Sequence, residues 1–166
     1  MKKIALVSHG CPKNLVDSEL ILGILAQNGY GITLNEDESD IVIVNTCSFI
    51  CDAERESIRS ILELVDKGKK VIVTGCLAQK HPEELKKEIP ELAGIIGTAD
   101  FGGIVDVLDR LLQHVAGILV VHHHAVPCVD DVPAREVAAG HNHLPARALH
   151  LRLDNLRTAG IPRDRQ

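Results

Sequence analysis

The chain has 166 residues, a formal charge of −5 and an isoelectric point near 6.0, with 45 % apolar and 2 % aromatic residues. Its length allows one domain with a full hydrophobic core plus a small appendage, and the apolar fraction excludes disorder throughout. The acidic balance argues against nucleic acid as the main partner, and no apolar run reaches the roughly 18 residues that a membrane span needs.

With no Trp and one Tyr, the core must be filled by Ile, Val, Leu and Ala, as in parallel sheets covered by helices. Residues 3–8 (K-I-A-L-V-S) read as a first strand closed by Gly10. Residues 14–28 read as a helix, with Val16, Leu20, Leu22, Ile24 and Leu25 mostly on one side and Gly29 at its end. Asn14 is the expected cap, and Asp17 and Glu19 suit the positive end of the helix dipole. Residues 31–34 form a short strand, expected at an edge. Residues 40–45 (D-I-V-I-V-N) are nearly all apolar, which predicts a strand buried on both faces. A helix over 52–67 carries Ile58, Ile61, Leu62 and Val65 at helical spacing and stops at Gly68. Residues 70–74 are another buried strand, and Pro82 opens a further helix where its missing N–H does no harm. Residues 94–97 are the last short strand, and 100–112 the last helix. This order predicts an α/β fold: a doubly wound, five-stranded parallel sheet, flavodoxin-like in the order 2-1-3-4-5, with helices on both faces.

Composition shifts near residue 113. All nine Lys lie at or before Lys87, whereas the segment beyond Gln113 holds six Arg, seven of the nine His and no Lys. Two parts are therefore expected: a domain over 1–113 and an irregular tail over 114–166. The loss of alternation in the tail is what a frameshift or a gene-fragment boundary would produce. The tail's His122, His123, His124, Cys128, His141 and His143 match no trusted metal-finger spacing. Residues 145–158 are compatible with a helix carrying Leu149, Leu153 and Leu156 on one face.

Met1-Lys2-Lys3 runs straight into the first strand, so no signal peptide is expected. Five cysteines without an export signal point to reduced thiols in the cytoplasm, where metal binding or catalysis is commoner than disulfide formation. Three of them follow strands directly: Cys11 in S-H-G-C, Cys47 in V-N-T-C and Cys76 in V-T-G-C. In the order 2-1-3-4-5 these strands are neighbours, about 4.8 Å apart, and their carboxyl ends share the edge where open α/β sheets bind ligands. Each cysteine also precedes a helix, whose free N–H groups favour thiolate over thiol. Three thiolates can hold zinc with one open position, or a four-iron cluster with one iron free; buried free cysteines can also be mere small hydrophobes. Spacing does not choose among these.

The segments G-C-P-K-N-L-V-D-S-E (10–19), V-N-T-C-S-F-I (44–50) and V-I-V-T-G-C-L-A (71–78) resemble the N-terminal domain of radical-SAM methylthiotransferases. The resemblance covers roughly residues 1–112. Pro12 and Lys13 resemble the branch that modifies an aspartate of the twelfth small-subunit ribosomal protein rather than the tRNA branch, which typically reads G-C-Q-x-N. It implies an auxiliary 4Fe–4S cluster on Cys11, Cys47 and Cys76 that delivers sulfur. It also implies a second 4Fe–4S cluster, on a C-x-x-x-C-x-x-C motif, that cleaves S-adenosylmethionine. The chain contains no such motif. The expectation is therefore a truncated enzyme carrying the auxiliary-cluster domain, unable to complete the reaction without a radical-SAM partner chain. A tRNA methylthiotransferase fragment and a stand-alone metal or redox thiol module are the alternatives.

Other residues near these motifs have plainer readings. Cys51 is a structural residue, a spare ligand or a disulfide partner of Cys47. His9 is a loop histidine beside the site or a fourth zinc ligand. Asn14 and Asn45 orient the cysteine loops, or simply serve as cap and turn residues.

Overall fold

The computed structural model describes residues 2–98, 100–113 and 119–121. The elements run β1 (Lys3–Ser8), α1 (Pro12–Gln27), β2 (Gly31–Thr33), β3 (Ile41–Thr46), α2 (Cys51–Asp66), β4 (Lys70–Gly75), α3 (Cys76–Lys80), α4 (Pro82–Glu88), β5 (Gly94–Ile96), α5 (Ile104–Leu112) and β6 (Leu119–Val121). Two 3-10 turns, Glu36–Glu38 and Phe101–Gly103, complete the chain order.

The strands form a parallel sheet in the order β2-β1-β3-β4-β5-β6. The expected order 2-1-3-4-5 is present, but the sheet has six strands instead of five. The sixth comes from the segment read as irregular: Gly94, Ile95 and Ile96 stand opposite Leu119, Val120 and Val121. A three-residue strand has too short a pattern to announce itself; its pairing to β5 makes it one. The compact unit containing the sheet extends to His122. The histidine tract, Cys128 and the helix expected over 145–158 lie outside the described residues.

β3 is buried at every position, as its apolar run predicts. Ile4 faces Ile41 in the β1–β3 register, and Val44 faces Val73 between β3 and β4. Side chains alternate across a strand. Ile41, Ile43 and Ile72 thus join Ile21 and Leu25 of α1 and Ile104, Val107 and Leu108 of α5 in one cluster. Val42, Val44, Val71 and Val73 point the other way, where α2 lies against β3 and β4 with Ile58 and Ile61 fully buried. Each fully buried aliphatic side chain stabilises the fold by about 1.5–3 kcal/mol.

Helix ends follow their chemistry. After α1, the Gly29 and Tyr30 N–H groups donate to Ala26 and Leu25 carbonyls; after α2, Gly68 and Lys69 donate to Val65 and Leu64 in the same way. Both are the paired bonds with which a glycine commonly ends a helix. The start of α1 differs from expectation. Cys11, not Asn14, occupies the N-cap position with extended backbone (φ −92°, ψ 169°), and Pro12 begins the helix. Asp17 therefore falls beyond the first turn, which holds no acidic residue, and pairs with Lys13 instead.

The buried face of α1 is Asn14, Ser18, Ile21 and Leu25, while Leu15, Val16 and Leu20 are more than half exposed. The expected stripe on Val16 and Leu20 is thus turned outward. Two polar residues take the inner face because that end of the helix packs on open main-chain groups rather than on hydrocarbon.

Candidate functional site

β1, β3 and β4 are neighbours in the sheet, and Cys11, Cys47 and Cys76 all lie just past their carboxyl ends. The structure therefore brings the three cysteine-bearing loops to one edge. Cys47 is fully buried, Cys11 and Cys76 are half-buried, and Cys51 is exposed at the start of α2. Cys11 caps α1 and Cys76 opens the short α3, as expected for residues at helix starts. Cys47 does not: the bend 48–50 separates it from α2, and Cys51 holds that helix's first position.

Burial pushes the Cys76 thiol above its ordinary range; the Lys13 ammonium opposes that shift, while Cys47, Cys11 and Asp17 add to it. Among the described residues, no group of three or more His, Cys, Asp or Glu side chains is placed to hold a metal ion. Tetrahedral zinc, with Zn–S near 2.3 Å, would draw its sulfurs within about 3.8 Å of each other. A four-iron cluster gives each thiolate an iron of its own and holds the sulfurs farther apart. Thiols past one sheet edge are a donor type that zinc, copper(I) and iron–sulfur groups all accept.

Two glycines make the approach of the loops possible. At Gly10 (φ +99°) a Cβ would stand 2.5 Å from Cys47 Cβ and 3.0 Å from its Sγ. At Gly75 (φ +93°) a Cβ would stand 2.4 Å from both Asn45 Oδ1 and the Thr46 carbonyl oxygen. Real Cβ atoms do not approach so closely, so each position excludes any side chain.

Behind the loops is a buried polar network. Asn14 Nδ2 donates to the carbonyls of His9 (2.6 Å) and Thr46 (3.1 Å). Asn45 Nδ2 donates to the Asn14 carbonyl (2.8 Å) and to Ser18 Oγ (2.9 Å). Ser57 Oγ accepts from the Cys47 N–H (3.3 Å) and donates to the Ala53 carbonyl (2.7 Å). His9 Nδ1 stands 3.7 Å from a Glu56 carboxylate oxygen, so its side chain reaches toward α2. Ser18 and Ser57 are not singled out by sequence motifs; their helical spacing from Asn14 and Ala53 was the available signal.

A doubly wound sheet with a cysteine past each of three adjacent strands defines a thiol-bearing α/β domain. Residues 3–97 match the family described as "Uncharacterized protein family UPF0004", and the chain belongs to that family, the N-terminal domain of methylthiotransferases. The chain is 50 % identical over 143 residues to the ribosomal protein uS12 methylthiotransferase RimO of Trichlorobacter lovleyi, covering 80 % of this chain and 32 % of that protein. It is 53 % identical over 116 residues to the protein of the same name from Pelotomaculum thermopropionicum, covering 67 % and 26 %. It is 45 % identical over 143 residues to that of a Synechococcus species, covering 86 % and 28 %. Matches over 80 % and 86 % of this chain continue past residue 113. The chain thus spans about a quarter to a third of the length of these relatives. Among the described residues no helix is long and apolar enough to cross a membrane.

Proposed function

We propose that this chain is the cluster-binding part of a methylthiotransferase directed at ribosomal protein uS12, and that Cys11, Cys47 and Cys76 are thiolate ligands of a 4Fe–4S cluster. The observation that carries the reading is the convergence of three cysteines from β1, β3 and β4 on the ligand-binding edge of the sheet. When bound, such a cluster would supply, at the iron no cysteine holds, the sulfur destined for the target aspartate. The chain's own residues provide the cradle. Cys11 stands at the head of α1, and Gly10 and Gly75 keep the edge clear of side chains. Cleavage of S-adenosylmethionine is assigned to a separate radical-SAM domain or partner chain, because this sequence holds no C-x-x-x-C-x-x-C motif. The reaction belongs in the cytoplasm, where uS12 and reduced thiols are found.

The test is anaerobic reconstitution with iron and sulfide, followed by absorption and EPR spectra of the wild type and of Cys11→Ala, Cys47→Ala, Cys76→Ala and Cys51→Ala. A four-iron signal lost in the first three variants and kept in the fourth is expected. A wild type that builds no cluster, or a cluster needing Cys51 but not Cys76, would overturn the proposal and favour a redox thiol module.

A further inference from the structure

We infer that Asn14, assisted by Asn45, is a positioning residue that sets the spacing of the three thiols. The inference rests on the proposed role of Cys11, Cys47 and Cys76 for its function, though not for its geometry. Asn14 is fully buried. Its amide donates to two main-chain carbonyls belonging to different strands. His9 lies just past β1, two residues before Cys11; Thr46 ends β3, immediately before Cys47. One side chain thus ties the first two cysteine loops together.

Asn45 closes the arrangement in return. It is also fully buried, and its amide holds the Asn14 carbonyl and Ser18 Oγ. Its Oδ1 occupies the space where a Cβ at Gly75 would stand, directly before Cys76. The third loop therefore rests on Asn45, whose own amide is tied to Asn14. His9 N–H donates to the Asn45 carbonyl (2.9 Å), which adds a main-chain link between the first two loops.

The energetics argue that the arrangement serves more than folding. Both Asn14 Oδ1 and Asn45 Oδ1 are buried without a hydrogen-bond partner. Each orphaned acceptor is a cost to folding, accepted here so that the same amides can donate to the main-chain carbonyls. Local rules of stability are most often broken where a site needs its parts held. Asparagine is suited to this task because a single planar amide presents two donors to two carbonyls at once.

The test reads thiol geometry without relying on a cluster. In a Cys51→Ala, Cys128→Ala background, dibromobimane bridges two thiols that stand several ångströms apart and fluoresces only once both have reacted. Asn14→Ala is compared with Val107→Ala, which removes packing in the core from α5, at matched loss of thermal stability. Asn14→Ala should bridge at least tenfold more slowly, and Val107→Ala at the parent's rate. Equal rates in Asn14→Ala and Val107→Ala overturn the inference, as does failure of the parent to bridge. If circular dichroism shows Asn14→Ala unfolded, Asn14→Ser, which retains one donor, is measured in its place against the same criterion. A parent that bridges but builds no iron–sulfur cluster leaves the positioning role standing and removes the cluster reading.

Discussion

Gly75→Ala should be among the most damaging single-atom additions to this chain. Gly75 has φ +93° and ψ −165°, a region essentially reserved for glycine, where another residue stores about 1–3 kcal/mol of strain. The added methyl would stand 2.4 Å from Asn45 Oδ1, 2.4 Å from the Thr46 carbonyl oxygen and 2.7 Å from the Thr46 nitrogen. Two of these three atoms belong to the backbone of β3, which cannot swing aside, so overpacking adds about 1–3 kcal/mol. The total, about 2–6 kcal/mol, is a large share of the roughly 5–15 kcal/mol that holds a domain folded.

Gly29→Ala supplies the comparison: φ is +79° but nothing lies within 4 Å of the new methyl, so the left-handed conformation alone costs about 1–2 kcal/mol. Urea unfolding followed by circular dichroism distinguishes them. With a slope of about 2 kcal/mol per molar urea, the midpoint should drop by about 1–3 M for Gly75→Ala and by about 1 M or less for Gly29→Ala. Equal midpoints would refute the close approach of the β4 end to β3, and with it the stacking of the Cys76 loop on Asn45.

The inward face of α1 can be checked directly: Ile21→Ala should cost about 2–5 kcal/mol, while Leu15→Lys and Val16→Lys should stay within about 0.5 kcal/mol, all by the same urea titration. The reverse pattern would restore the apolar stripe read from periodicity. Ser57→Ala leaves the Cys47 N–H buried without its acceptor and should lower stability by about 1–3 kcal/mol, with faster hydrogen exchange at the Cys47 amide; unchanged exchange would count against that bond. Tyr30 donates to an Asp109 carboxylate oxygen, and burial first, then that bond and that charge, push its phenol up to about 12. The folded state holds the proton longer than the unfolded chain, so this stabilisation is complete below pH 10 and lost as pH rises toward 12. Tyr30→Phe should flatten the stability loss between pH 10 and 12, and an unchanged slope would remove Tyr30 as its source.

Much of this protein is written in short local patterns. Unbroken Ile and Val runs at 41–44 and 71–73 can be buried on both faces only in a parallel sheet, so both central strands were legible. Gly29 and Gly68 mark helix ends because the paired bonds that terminate a helix need a left-handed residue there. The positions of Cys11, Cys47 and Cys76 after strands were equally plain, and rules of connection narrowed the strand order to two, of which 2-1-3-4-5 suited five strands best.

What remained belonged to the tertiary structure, because it depends on partners distant in sequence. β6 exists through its pairing with β5. The outward turn of Val16 and Leu20 is decided by what α1 packs against: the carbonyls of His9 and Thr46 call for the amide of Asn14, and Asn45 calls for Ser18. Periodicity counts apolar residues and so cannot recognise a buried helix face whose first turns are polar. For the same reason Asn14 reads as a cap in sequence and becomes, once β1 and β3 are side by side, the amide between two cysteine loops.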